Sequence, residues 1–167
     1  MPTHGLGLAI IRVIVGGWFF KAVVTKLTIE YIWWIPFPTV SQRFLNFLPK
    51  RLAEFASDNP VGWYHQFLVE TAIPHAKLFA FLETFGEVGV GVGLILGLVT
   101  SFSSLIGLLM SINFVLASQW MGFCQQGFNT VLAGCMLGCL LGRAGRTWGI
   151  DAWLANRSTN AVVRRLL

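Results

Sequence analysis

The sequence predicts an all-α membrane protein, a four-transmembrane-helix bundle with a long, partly helical loop between helices 1 and 2. No Asp, Glu, Lys, Arg or His occurs from Val88 to Gly142. A hydrocarbon core needs roughly 20 apolar residues per helical crossing, so this run is long enough for at least two spans. Hydrophobic residues make up 55% of the chain and charged residues 11%, against about 25% charged in an ordinary soluble domain. A soluble fold of this size would leave much of that apolar surface in water.

Hydropathy and its polar breaks divide the chain into spans. The first span begins near Leu6 and ends near Lys26. The long uncharged run is interrupted by TSFSS at 100–104 and by CQQGFN at 124–129, and both segments are predicted to be turns. The residues 1–167 are therefore treated as a single membrane domain with spans at about 6–26, 77–99, 104–122 and 128–142, a loop at 27–76 and a basic tail at 143–167.

The distribution of positive charge predicts the orientation. The net charge is +5, and several arginines follow the last span: Arg143, Arg146, Arg157, Arg164 and Arg165. A basic segment directly after a span is typical of the cytoplasmic side. We therefore expect a prokaryotic inner (cytoplasmic) membrane protein with both termini in the cytoplasm and with membrane lipid as its surroundings. No pattern of alternating aromatic and basic residues points to nucleic acid.

The loop at 27–76 is rich in aromatic residues and is predicted to be folded. Trp33 and Trp34 lie where an interfacial aromatic belt would be. Residues 39–56 carry apolar side chains at helical spacing with polar residues between them, which predicts a helix on the membrane surface, broken or kinked near Pro49. We expect this loop to cover the outer end of the bundle, either as a substrate lid or as a docking surface for a partner.

The sequence offers no ligand set for a metal or a haem. Cys135 and Cys139 share a helix face, but zinc takes four ligands and no third ligand is nearby. No histidine pair is in register across two spans, as a membrane haem would require. We therefore predict neither metal nor haem.

Ionisable residues within the spans are the candidate site. Arg12 and Lys26 share a face of the first helix, and Glu83 and Glu87 share a face of the second. Counted from the outer ends of their helices, Arg12 lies about 21 Å deep and Glu87 about 15 Å deep. A long arginine side chain spans the difference, which allows an Arg12–Glu87 pair if the two helices face each other.

Two readings of these charges stay open. Two ionised glutamates on one face repel each other, so either one is protonated or a cation compensates them. The first reading is a buried ion pair that fixes how the first two helices dock. In the second, Glu83, Glu87 and Arg12 are catalytic, because the reduction of a quinone at a membrane site requires two protons.

Three segments resemble the DoxX/DoxD family. LAIIRVIVGGWFF with Arg12, followed by Lys26-Leu27, is similar to the first helix of that family. FGEVGVGVGLILGLVT, with Glu87, is similar to its second helix, and GRTWGIDAWL, with Asp151, to its closing segment. The resemblance covers all four spans and implies a four-helix membrane domain. It marks Arg12, Lys26, Glu87 and Asp151 as the family positions, the first three as a quinone or anion site.

The resemblance also implies a function. DoxD, with its partner DoxA, is associated with thiosulfate:quinone oxidoreductase, which oxidises thiosulfate to tetrathionate and passes the electrons to quinone. We therefore expect a membrane subunit of a quinone-linked redox complex, with quinone as its cofactor and other membrane subunits as partners. The alternative is a non-catalytic accessory subunit of a larger respiratory or photosynthetic complex.

Overall fold

Three helical segments are long and apolar enough to cross a membrane. The computed structural model describes residues 3–118 and 120–157. The candidate spans in these ranges are Gly5–Lys26, Ala76–Leu96 and Thr100–Ser118. The first consists of α1 (Thr3–Phe20) and, after a turn at Lys21, α2 (Ala22–Lys26); the others are α5 (Ala76–Leu96) and α6 (Thr100–Ser118). A further long helix, α7 (Phe123–Leu141), packs along α6, and its crossing of the membrane stays a prediction.

The turn between α5 and α6 lies earlier than the sequence indicates. α5 ends at Leu96, and Gly97 adopts a left-handed conformation with φ of 64°, which costs glycine little because it lacks a Cβ. α6 then begins at Thr100, so the predicted turn at 100–104 is wrong. Ser103 and Ser104 are buried in the first turns of α6. Their polarity favours a loop in the sequence, but small polar residues are common where membrane helices pack closely.

The predicted turn at 124–129 is also wrong. These residues form the first two turns of α7, and the connection to α6 precedes Phe123. The side chain of Asn129 donates a hydrogen bond to Ser118 Oγ at 2.8 Å. The polar side chain of Asn129 therefore joins α7 to α6.

The segment between the first two spans is folded. It contains a β-hairpin, two helices and one π-helical turn: β1 (Leu27–Ile32), β2 (Ile35–Val40), α3 (Gln42–Ser57), α4 (Gly62–Phe67) and the turn Leu68–Ala72. The strands are antiparallel, with Leu27 opposite Val40 and Ile32 opposite Ile35. Trp33 and Trp34 form the two-residue connection with φ of 51° and 69°, and their side chains are 89% and 95% exposed.

Helix α3 covers the outer part of the bundle with one apolar face. Ser41 caps its N-terminus by accepting a hydrogen bond from the Phe44 N–H. Phe44, Leu48 and Leu52 recur every four residues and are buried. The helix continues through Pro49. A helix in this region is thus confirmed, whereas the predicted break near Pro49 does not occur.

The buried apolar residues form two clusters. The outer cluster joins α3, α4 and the π-helical turn to the first half of α5, and includes Phe44, Tyr64 and Ala80. The inner cluster joins α1, α5 and α7 through residues such as Phe19 and Leu94. The outer cluster therefore holds α3, α4 and the π-helical turn, together called the cap, on the bundle.

Candidate functional site

Lys26 binds both glutamates of the candidate site. It is the last residue of α2, and its Nζ lies 2.7 Å from Glu83 Oε1 and 2.6 Å from Glu87 Oε2. Because the two glutamates are one helical turn apart on α5, their carboxylates converge on one ammonium group. The side chains are 16%, 24% and 13% exposed, in the order Lys26, Glu83, Glu87. The expected common face of the glutamates is confirmed.

The surroundings of this ion cluster limit its access to water. The Lys26 ammonium lies 4.7 Å from the ring centroid of Phe44 on α3, a distance at which a cation is attracted to an aromatic face. One ammonium balances one of the two carboxylates. The cluster therefore either keeps a net negative charge or binds a proton.

Arg12 lies at the other end of the bundle and does not reach Glu87. It is 1% exposed, and its Nη2 donates a hydrogen bond to the carbonyl oxygen of Trp148 at 2.9 Å. A Cβ at Gly97 or Gly149 would overlap its Nη1, so these two glycines make room for the guanidinium. The Arg12–Glu87 pair that the sequence allows is not formed, and Lys26 takes the place of Arg12.

Asp151 joins the C-terminal segment to the turn between α5 and α6. The residue belongs to α8 (Ile150–Arg157) and is buried. Its carboxylate accepts hydrogen bonds from the N–H groups of Val99 and Thr100 at 2.7 and 2.8 Å, and its own N–H donates to Gly97 O at 2.8 Å. A carboxylate at this position satisfies free N–H groups at the start of α6 and is favoured by the helix dipole. Asp151 is thus a structural cap, close to Arg12.

A cavity of about 330 Å³ lies between the cap and helices α5 and α6. We call it the head cavity. Its wall is mainly apolar, and its polar side chains are those of Glu83, Tyr64 and Asn113. Leu82 and Leu109 line it and are exposed on the outside of the bundle, so the cavity opens towards lipid. Glu83 therefore belongs both to the ion cluster and to the wall of the head cavity.

Tyr64 provides a hydroxyl group in the same cavity. Its Oη donates a hydrogen bond to Asn113 Oδ1 at 2.8 Å. Burial, with a further contribution from the charge of Glu83, raises the pKa of Tyr64 to about 12. The hydroxyl therefore keeps its proton at physiological pH. The sequence reasoning treated Tyr64 as part of an aromatic cap and missed it as a site residue, since only the fold of α4 brings it over α6.

The head cavity continues along the crevice between α5 and α6. A second cavity of about 270 Å³ shares Gly86 and Ile106 with it and is also lined by Gly89 and Phe102. A Cβ at Gly89 would meet no heavy atom within 4 Å. These glycines leave a mainly apolar crevice next to the head cavity, and the exposed Gly89 and Phe102 show that it is open on the outside of the bundle. We call it the tail crevice.

Among residues 3–118 and 120–157, no group of three or more His, Cys, Asp or Glu side chains is placed to hold a metal ion. The three cysteines are free; Cys124 is exposed and Cys139 is buried.

The apolar helices and the lipid-facing cavity define an integral membrane protein. The family model described as "TQO small subunit DoxD" matches residues 8–167. The chain belongs to this family, which confirms the resemblance seen in the sequence. No curated protein and no solved structure gives a significant match.

Proposed function

We propose that the protein is the quinone-binding membrane subunit of a thiosulfate:quinone oxidoreductase-like complex. Membership of the DoxD family supports a membrane subunit of such a complex. The observation that carries the quinone site is the double role of Glu83, which binds Lys26 at 2.7 Å and lines the head cavity. A largely apolar pocket with a few convergent polar groups is the usual form of a small-molecule site.

The reaction sets the requirements for the site. Two thiosulfate dianions and one quinone, with two protons, give one tetrathionate dianion and one quinol. The electrons come from the two sulfur atoms that form the new S–S bond, and each quinone carbonyl oxygen receives one proton. A carboxyl group of Glu83 in the head cavity is suited to deliver a proton, and Lys26 stabilises the carboxylate that remains. The Tyr64 hydroxyl donates its proton to Asn113 Oδ1, and its oxygen is suited to accept a hydrogen bond from a hydroxyl of the quinol product.

The tail crevice offers a binding site for the apolar chain of the quinone. Membrane quinones carry an apolar chain, and the crevice extends from the head cavity between α5 and α6 along Gly86 and Gly89. With the head group beside Glu83, the chain lies between the two helices and leaves the bundle into lipid. Thiosulfate approaches the outer surface, where Arg43, Lys50 and Lys77 are exposed and attract a dianion.

The test is the binding and reduction of quinone by the purified protein with any co-purifying partner. Glu83→Gln keeps the size of the side chain and removes its acid; we expect quinone reduction with thiosulfate to fall about 100-fold or more. Glu70→Gln is the matched control, because Glu70 is exposed on the π-helical turn. Equal turnover in both variants would refute the assignment of Glu83.

The tail crevice is tested by filling it. In Gly89→Leu the new side chain extends into open space. We expect it to weaken the binding of a quinone with a long chain and to leave the binding of a quinone with a short chain unchanged. Gly134→Leu is the control, since a Cβ at Gly134 on α7 also meets no heavy atom within 4 Å and Gly134 does not line the crevice. If Gly89→Leu affects both quinones or neither, the proposed position of the tail is wrong.

Contacts between the start of α1 and the segment after α7 support a fourth span. Gly5 in α1 contacts Thr147, and Arg12 contacts Trp148, so the start of α1 meets the segment that follows α7. We assign this side to the cytoplasm of a prokaryotic inner membrane, because Arg143 and Arg146 follow α7 directly. A membrane-impermeant thiol reagent should label Arg157→Cys only after the cytoplasmic side is opened, in a background without the native cysteines.

A non-catalytic accessory role is the second candidate. The hairpin at Leu27–Val40 favours it, because the exposed tryptophans at its tip suit a protein interface. In this case Trp33→Ala with Trp34→Ala should abolish assembly with the partner subunit, while Glu83→Gln leaves the turnover of the assembled complex unchanged. Blue native electrophoresis together with the quinone assay distinguishes the two functions.

A further inference from the structure

A second apolar groove lies on another side of the bundle, between α1 and α7. Its volume is about 450 Å³, and Ile14, Val15, Val131 and Leu132 contribute to its wall. Ile14 and Val131 are 66% and 65% exposed, so the groove opens to the lipid around the bundle. It shares no lining residue with the head cavity or the tail crevice.

Lys21 stands at the outer end of this groove. It lies five residues before Lys26, about 7.5 Å further into the membrane along the helix. Its ammonium group lies 4.6 Å from the ring centroid of Trp18, and within the described ranges no carboxylate lies within ion-pair distance of it. Glu87 acts on Lys21 only at longer range, since its carboxylate is bound to Lys26. A cation at this depth without a counter-ion is costly.

We propose that the groove between α1 and α7 binds one anionic phospholipid. Its phosphate group pairs with the Lys21 ammonium, and one acyl chain lies in the apolar groove. From Lys21 to Ile14 the groove extends seven residues, about 10 Å along α1. The lipid thus supplies the counter-ion that Lys21 lacks and fills the gap between the two helices.

The shape of the groove favours an acyl chain over the helix of a partner subunit. The rings of Trp18 and Phe128 meet across its outer part, with centroids 4.7 Å apart. A helix with its side chains is about 10–12 Å across and does not fit beneath this contact. An acyl chain is a single row of methylene groups and does.

The test measures phospholipid that remains bound after purification in mild detergent, by native mass spectrometry. Two variants change different parts of the site. Lys21→Gln removes the charge, and we expect the preference for phosphatidylglycerol over phosphatidylcholine to fall about fivefold. Gly17→Leu fills the groove without a clash, since a Cβ at Gly17 meets no heavy atom within 4 Å, and it should displace the lipid whatever its head group.

Each variant has a matched control. Lys77→Gln removes an exposed lysine at the start of α5, and Gly7→Leu adds the same side chain at another open position of α1. Both controls should keep one bound phospholipid with unchanged preference. The proposal is overturned if Lys21→Gln and Lys77→Gln behave alike, if Gly17→Leu retains the lipid, or if cross-linking from the groove captures a polypeptide instead of a lipid.

Discussion

Lys26, and not Arg12, is the partner of the two glutamates, and this leads to a quantitative prediction. In a double-mutant cycle, Lys26→Met and Glu87→Gln should show a strong coupling in the free energy of unfolding, whereas Arg12→Met and Glu87→Gln should be additive. The reason is geometric: Lys26 Nζ lies 2.6 Å from Glu87 Oε2, while Arg12 bonds to Trp148 O.

The magnitude follows from the burial of the cluster. Removing one partner of a fully buried ion pair costs about 3–5 kcal/mol, while a surface pair is worth about 0–1 kcal/mol. Lys26 and Glu87 are 16% and 13% exposed, which places the loss for Lys26→Met at about 2–3 kcal/mol, between these limits. Because Glu83 remains as a second partner of Lys26, the coupling with Glu87 alone should be about 1–2 kcal/mol.

The assay is reversible unfolding in mixed micelles with increasing sodium dodecyl sulfate at neutral pH, followed by circular dichroism. Lys77→Met serves as a control for the loss of a positive charge near the outer end of α5 and should be additive with Glu87→Gln. The reasoning fails if the Lys26–Glu87 coupling is below about 0.5 kcal/mol, or if the Arg12–Glu87 coupling is as large.

Two further predictions concern groups outside the spans. Asp151→Ala should lower the free energy of unfolding by about 2–4 kcal/mol, because the buried N–H of Thr100 and the partly buried N–H of Val99 lose their acceptor. The exposed Asp58→Ala should change it by less than about 0.5 kcal/mol, and similar values for the two variants would contradict the capping role of Asp151. Tyr64 keeps its proton up to a pKa of about 12 in the folded protein, against an ordinary 10.0. The folded state is thus favoured below pH 10, and this contribution is lost as the pH rises to about 12. Tyr64→Phe should show a smaller loss of stability over that range.

The features predicted well from sequence are those set by local pattern. A helix spacing of four residues brings Glu83 and Glu87 to one face whatever their partner. The apolar face of α3 follows from Phe44, Leu48 and Leu52 in the same way. The uncharged run identified α6 as a span, although polarity alone misplaced the start of that helix, because Ser103 and Ser104 pack inside the bundle.

The partner of the glutamates depended on the register of two helices, which the sequence does not contain. The depths of Arg12 and Glu87 expected from the sequence assume that Lys26 and Lys77 lie at the same height in the membrane. In the structure Gly16 contacts Ile95, and Gly91 contacts Phe20. This antiparallel register brings Lys26 beside Glu83 and Glu87.

The two buried charged networks of the bundle therefore have different roles. Arg12 and Asp151 lie at the inner end, are 1% and 0% exposed, and bind backbone atoms of the segments that they join. Neither lines any of the cavities described above. Lys26, Glu83 and Glu87 keep partial exposure and carry one more negative than positive group, and one of them, Glu83, lines the head cavity. A fixed network that bonds to the backbone stabilises the fold, whereas a network with a carboxylate in a cavity wall can exchange a proton with a ligand. Variants of Arg12 should consequently reduce the free energy of unfolding with little effect on quinone reduction. Glu83→Gln should instead strongly reduce quinone reduction with a smaller loss of stability, because Glu87 remains as a partner of Lys26.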